Sequence, residues 1–174
     1  KVITIGNPTL NLVAEPVTVF DKPLKKLAKN MIDTMIKEEG VGLAAPQVSQ
    51  SIRLIVIDLE LVYEEDEKPI AGVNVPYAFV NPEIIEKSEL FTFEEGCLSV
   101  PGIKELVTRY KKVTVKFKSL DGIEYVWKID HEYLAVIFQH EIDHLNGILF
   151  VDKLSETKRK MIKPQLDELR EHVV

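Results

Sequence analysis

Residues 133–149 constrain the fold more than any other stretch. Leu134, Ala135, Val136, Ile137, Phe138, Ile142 and Leu145 leave a helix here apolar almost all round, and a helix of that kind is buried. The same stretch carries His140, Glu141, Asp143 and His144. Buried polar and ionisable groups are costly unless something satisfies them. Positions i and i+4 lie one above the other on a helix face. His140 and His144 can therefore aim both imidazoles at one metal ion, with Glu141 placed to reach a metal-bound water. This is the H-E-x-x-H pattern, two ligands and a general base.

A buried helix needs apolar partners, and the chain supplies them. Its 174 residues suffice for one domain, 1–174, with a real core. Residues 52–59 are nearly all apolar and β-rich, which predicts a buried strand. Short strands are expected at 77–80 and 83–87 around Asn81-Pro82, and Phe91 and Phe93 alternate with Thr92. Pro101-Gly102 marks a turn. Val113, Val115 and Phe117 alternate with polar residues, as do Ile123, Tyr125, Trp127 and Ile129, and Asp121-Gly122 joins the two runs as a hairpin. Asp21-Lys22-Pro23 opens a helix with Leu24, Leu27, Ala28, Met31, Met35 and Ile36 at helical spacing, and Gly40 is a natural C′ residue. Asp130 can cap the helix that bears the histidines, which should end near Asn146-Gly147. Ser155 caps a last helix with Met161 or Ile162, Leu166, Leu169 and Val173 on its apolar side, and Pro164 should kink or split it. Residues 60–74, with Glu64-Glu65-Asp66-Glu67, Pro69 and Gly72, read as a solvated loop. The expected class is α+β, with mixed or antiparallel sheets packed around a central helix and a further helix towards each terminus.

Charge and cysteine usage narrow the partners. A net charge of −6 argues against nucleic acid as the main partner. No apolar run approaches the length that spans a bilayer, and no signal peptide is visible. The lone Cys97 excludes an intrachain disulfide and suits a reducing cytoplasm. The first six residues of GVGLAAPQ, which starts at Gly40, match G-x-G-x-x-G/A, but they follow a helix rather than a strand and Pro46 discourages a helix across them. The better reading is a loop whose glycines let backbone approach something closely, ended by the Gln47 carboxamide.

A catalytic metal site needs a third protein ligand and an open position. His131 lies too far along the helix axis from His140, and His172 sits in a polar C-terminal stretch. Carboxylates remain possible. Cys97 follows a strand in a Gly-containing turn, a suitable place from which to project a thiolate. The alternatives are an H-E-x-x-H peptidase with a carboxylate or His as third ligand, and a structural metal or binding protein; the latter would need a fourth ligand that is not well placed. Spacing alone points to zinc.

The stretches GVGLAAPQ, EGCLS and QHEIDH resemble the signature motifs of the peptide deformylases, in the family's order and at roughly its spacings, and the resemblance covers nearly the whole chain. Residues 60–77 are longer than in the shortest family members. The resemblance implies a cytoplasmic, metal-dependent hydrolase that removes formate from N-formylmethionine at the start of nascent polypeptides. It implies Cys97, His140 and His144 as ligands of one divalent ion, Fe²⁺ by preference, with Zn²⁺, Ni²⁺ or Co²⁺ able to substitute. Glu141 would be the general acid/base acting on a metal-bound water, Gln47 and the backbone N–H of Leu98 would hold the carbonyl oxygen, and Gly42 would meet the substrate backbone. Val41, Val136 and Ile137 are candidate lining for the Met side chain, since 136 and 137 lie one turn before His140. Glu95, Arg109, Gln139 and Asp143 are the polar groups best placed to orient the ligands, with Glu95 expected to pair with Arg109. The cations between 153 and 163 (Lys153, Lys158, Arg159, Lys160, Lys163) form a basic face that is either a ribosome contact or a solvated helix surface.

Overall fold

In the computed structural model, which describes residues 1–62 and 78–174, the capping and alternation signals resolve into helices α1 (Lys22–Lys37), α2 (Leu59–Val62), α3 (Glu132–Leu145) and α4 (Glu156–Glu171), with strands β1 (Gly42–Ala44), β2 (Leu54–Ile57), β3 (Ala78–Cys97), β4 (Val100–Lys118) and β5 (Glu124–Ile129). The strands form one sheet in the order β1-β2-β3-β4-β5, antiparallel throughout.

β2 explains the layering. All of its residues are buried. Leu54 and Val56 pack with Met31 and Met35 of α1, while Ile55 and Ile57 pack with Phe138 and Ile142 of α3. A strand covered on both faces reads as a continuous apolar run rather than an alternation. The layer between the sheet and α3 holds Phe79 against Phe117 and Phe138, with ring centroids 4.9 and 4.8 Å apart. A further cluster seats Ile162 and Leu166 of α4, with Ile3 and Ile5, on Val100, Ile103 and Val107 of β4.

Several local expectations are corrected. The short strands around Asn81-Pro82 and the run at Phe91 belong to one twenty-residue strand, β3; Asn81 enters a positive φ of 50° at a register shift instead of ending the strand. The turn expected at Pro101-Gly102 falls earlier, at Leu98-Ser99, and Gly102 takes a φ of +79° within β4. In the motif GVGLAAPQ, residues 42–44 pair as β1 and Ala45–Val48 form a 3-10 turn, where a loop was expected. At the end of α1, Glu39 and not Gly40 takes the left-handed conformation, φ 57°. The Glu39 and Gly40 amides donate to Ile36 and Met35 at 3.1 and 2.9 Å, a Schellman closure. Gly40 is small for another reason: a Cβ there would lie 2.8 Å from Leu98 Cδ1. The N-cap of α3 is His131, whose Nδ1 accepts from the Leu134 amide at 3.2 Å, rather than Asp130. α4 runs unbroken through Pro164; Lys160, Lys163 and Pro164 are all exposed, so the carbonyl that Pro164 leaves unpaired faces water. Ile36 and Met161 point to solvent, and Ile162 takes the core position. The other capping expectations hold: Asp21 accepts from Leu24 N at 3.1 Å and Ser155 from Lys158 N at 3.3 Å. Of the expected surface loop, Glu60 to Val62 form α2, and the rest, through Tyr77, lies outside the described residues.

Candidate active site

The buried helix α3 carries the candidate residues His140, Glu141 and His144, and its ends are closed on both sides. Gly147 follows its C-cap Asn146 with φ +74°, and a Cβ there would meet Asn11 O at 2.6 Å. Only glycine meets both demands. The helix presents His140 and His144 on one face, with their Nε2 atoms 3.3 Å apart. Cys97 arrives from β3 through a register shift between Glu95 and Cys97, and its Sγ lies 3.4 Å from His144 Nε2. One ligand atom from each of Cys97, His140 and His144 falls within 4.8 Å of the others. Donor atoms this close need a shared cation: in the metal-free chain a proton on His140 serves, and a metal ion can take its place. A thiolate with two imidazoles suits Zn²⁺ or Fe²⁺ among common divalent ions. The donor set therefore fits one transition-metal ion.

The surrounding charges fix how these donors point. Glu95 of β3 and Arg109 of the neighbouring β4, both buried, form a bidentate pair at 2.6 and 2.8 Å. The remaining arm of Arg109 donates to Asp143 at 2.6 Å, and Lys153 stands 3.5 Å from the same carboxylate oxygen. Glu95 also meets His140 Nδ1 at 2.8 Å. That contact assigns a proton to Nδ1 and leaves Nε2 as the atom that could bind a metal ion. Burial pushes the Glu95 carboxyl up, but hydrogen bonds from Arg109 and His140 outweigh it and hold its pKa below the ordinary value. Burial likewise works against a charged His140, and hydrogen bonds to Cys97 and Glu95 more than offset it, raising its pKa well above the usual imidazole range. His144, buried beside that positive charge, is held well below it. Gln139 anchors the helix to β4: its carboxamide accepts from Tyr110 N at 2.9 Å and donates to Tyr110 O at 2.8 Å, as a neighbouring strand would.

Glu141 is buried, and its pKa is pushed up to about 7, chiefly by burial. Its Oε2 has no hydrogen-bond partner among the described residues. Gly42 lies directly against it: a Cβ at 42 would come within 2.8 Å of Glu141 Oε1. These groups line a cleft of about 1160 Å³ together with Cys97, Leu98 and Gln47. Gln47 is buried, accepts from Ala44 N at 2.9 Å through Oε1, and turns Nε2 towards Cys97 Sγ at 3.6 Å. Val41, Val136 and Ile137 line the same cleft. So do Phe93 and Tyr133, stacked with centroids 5.7 Å apart, which sequence reasoning missed. Phe93 comes from β3 and Tyr133 from α3, so only the alternation of Phe91 and Phe93 hinted at an apolar wall. His131 and His172 take no part in the cluster. The cations of the 153–163 face each sit with a carboxylate: Lys153 with Asp143, Lys158 with Glu105, Arg159 with Asp152, Lys160 with Glu156 and Lys163 with Asp167.

An α+β fold with H-E-x-x-H on a buried helix, a thiol brought across from a strand end and an apolar cleft alongside has the residues that a mononuclear metallohydrolase requires. A profile of the polypeptide deformylase family matches residues 1–160. The chain is 42% identical over 166 residues to the peptide deformylase of Desulfotalea psychrophila, covering 95% of this chain and 94% of that one. It is 45% identical over 157 residues to the peptide deformylase of Chromobacterium violaceum, covering 90% and 87%. Its fold superposes on the crystal structure of Plasmodium falciparum peptide deformylase with a TM-score of 0.85 at 37% identity, over 99% of this chain and 96% of that one. The chain belongs to the polypeptide deformylase family.

Proposed function

We propose that this protein hydrolyses the N-formyl group, as formate, from the formylmethionyl end of nascent polypeptides, with Cys97, His140 and His144 holding one divalent ion, Fe²⁺ by preference and Zn²⁺, Ni²⁺ or Co²⁺ as substitutes. The observation that carries this reading is the convergence of those three donor atoms within 4.8 Å, beside Glu141 and on the wall of an apolar cleft. When bound, such an ion is a Lewis acid and lowers the pKa of a water ligand towards ~7.

The chain's own residues then account for the rest of the hydrolysis. Glu141, with a pKa of about 7, takes a proton from the attacking water and returns it to the amine as the C–N bond breaks. The carbonyl oxygen turns into an oxyanion, and the Gln47 carboxamide and the Leu98 N–H are the donors on that side of the cleft. Loss of one such donor costs about 10²–10³-fold in rate. Gly42 brings backbone to the substrate and, lacking a Cβ, leaves Glu141 its place. Val41, Val136 and Ile137 take the Met side chain. The rings of Phe93 and Tyr133 add sulfur–aromatic contact, worth about 0.3–1.5 kcal/mol. Formyl is the smallest acyl group, and the crowding of Gly42 against Glu141 discriminates against larger ones.

Action in the cytoplasm belongs to the same reading. No described helix is long and apolar enough to cross a membrane. A ribosome contact through the 153–163 face is testable by co-sedimentation with and without charge reversal there. The complete pairing of its cations favours a solvated surface.

The deciding experiment assays anaerobically prepared protein on formyl-Met and acetyl-Met peptides and measures metal on the same sample. Formate release with about one metal per chain, and little or no turnover of the acetyl peptide, is expected. Equal turnover of both peptides, or full turnover after metal removal, overturns the reading.

A further inference from the structure

Ser99 follows Cys97 in the turn between β3 and β4 and has no part in the roles above. Its side chain is fully shielded from solvent, where a hydroxyl is costly unless it is hydrogen-bonded. Its Oγ accepts from Gln47 Nε2 at 3.0 Å. A carboxamide has one oxygen and two N–H groups. With Oε1 on the Ala44 amide at 2.9 Å, the Gln47 side chain has one permitted orientation. One N–H goes to Ser99, and the other faces Cys97 Sγ at 3.6 Å. Both residues are also held from behind. The Gln47 carbonyl accepts from Ile3 N and the Ser99 carbonyl from Ile5 N, each at 2.8 Å. Ile3 and Ile5 are themselves buried, so a single stretch of backbone sets the spacing of the pair.

We propose that Ser99 is a positioning residue: its hydroxyl locks the Gln47 carboxamide so that the second N–H, only weakly held by Cys97 Sγ, points to the sulfur side of the cleft, where the carbonyl oxygen of the acyl group is received. The assignment rests on the deformylase reading for what the N–H does, and on geometry alone for the lock. Without the hydroxyl, the carboxamide keeps its bond to Ala44 and the long contact of 3.6 Å to Cys97 Sγ, and pivots about the first. The donor is then no longer held where charge develops. Pre-organised donors lose effect steeply when displaced, by about 10²-fold for an error of about 1 Å. A side chain still held at Ala44 and weakly at Cys97 spends part of its time in place, so the expected loss is smaller than that.

The test is a double-mutant cycle of Ser99→Ala and Gln47→Ala on zinc-loaded protein, read as kcat and KM separately. Ser99→Ala is expected to lower kcat about tenfold while KM stays within about twofold. The same substitution made in the Gln47→Ala background should change kcat less than about twofold, because Ser99 acts through Gln47. Ser99→Thr, which keeps the acceptor, should recover activity. Equal losses in both backgrounds overturn the proposal. A second readout needs no turnover. In a ¹⁵N–¹H spectrum of the zinc-loaded protein, the two Gln47 side-chain hydrogens should be widely separated and slow to exchange with water, and Ser99→Ala should bring them together. A wild-type Gln47 amide that resembles free glutamine overturns the lock. A locked amide in protein that releases no formate would instead sink the functional reading and leave the lock standing.

Discussion

Arg109→Met tests the charge network that orients the histidine helix. The guanidinium is buried and makes three short bonds, at 2.6 and 2.8 Å to Glu95 and 2.6 Å to Asp143. Methionine preserves most of the volume and removes the charge. Among the described residues, Glu95, itself buried, would keep only His140 Nδ1, and Asp143 only Lys153 at 3.5 Å. Stripping one partner from a buried ion pair costs about 3–5 kcal/mol, because the other charge is left uncompensated. That is a large part of a typical total of about 5–15 kcal/mol. For a chain of this size it corresponds to a fall in Tm of about 6–20 °C. Urea denaturation of metal-free wild type and variant measures it directly. Adding Glu95→Gln removes the stranded charge and should recover a substantial part of the loss. Metal affinity of the single variant should fall about 10–100-fold, since His140 loses the carboxylate that is held in place to orient it. A destabilisation below about 1 kcal/mol, the range of an exposed pair, would refute the argument, as would a double variant no more stable than the single one.

The remaining predictions concern the cleft. Gly42→Ala places a methyl 2.8 Å from Glu141 Oε1; the expected cost is about 1–3 kcal/mol of stability by overpacking, with a larger loss of kcat than of metal content, read by denaturation, steady-state kinetics and metal analysis. Cys97→Ala should abolish stoichiometric metal binding on dialysis, and retention of one ion per chain would favour a carboxylate or another His as third ligand. In metal-free protein, Glu141 has a folded pKa of about 7, above the ordinary carboxyl value. The folded state therefore holds a proton that the unfolded chain has given up, and stability declines as pH rises towards and through about 7. Glu141→Gln should flatten that decline in parallel denaturation series; an unchanged slope would show that other groups cause it.

How much of this was legible in the sequence differs by element, for physical reasons. α3 was readable because its signals agree: an all-round apolar pattern, histidines four apart and Asn146-Gly147 at the end. Its start was misread because Asp is the commoner cap, whereas here the His131 ring supplies the acceptor. The length of β3 was hidden by Asn81-Pro82 and that of β4 by Pro101-Gly102. Such pairs usually break strands, but register shifts and positive φ at Asn81 and Gly102 absorb them within the sheet. Arg109 and Glu95 could be matched because they are opposite charges among the polar groups expected to orient the ligands. Arg109 to Asp143 and Gln47 to Ser99 required knowing how the strand turn packs against α3 and the 3-10 turn, which no local pattern encodes. Phe93 and Tyr133 escaped for the same reason.

The proposed hydrolysis turns on one ion shared by a sulfur and two imidazoles. X-ray absorption at the metal edge of zinc-loaded protein reads that set directly. The prediction is one sulfur at ~2.3 Å and two imidazole nitrogens at ~2.0–2.1 Å, with the remaining coordination filled by a light solvent atom. A spectrum with no sulfur scatterer, or with only one imidazole, would contradict it.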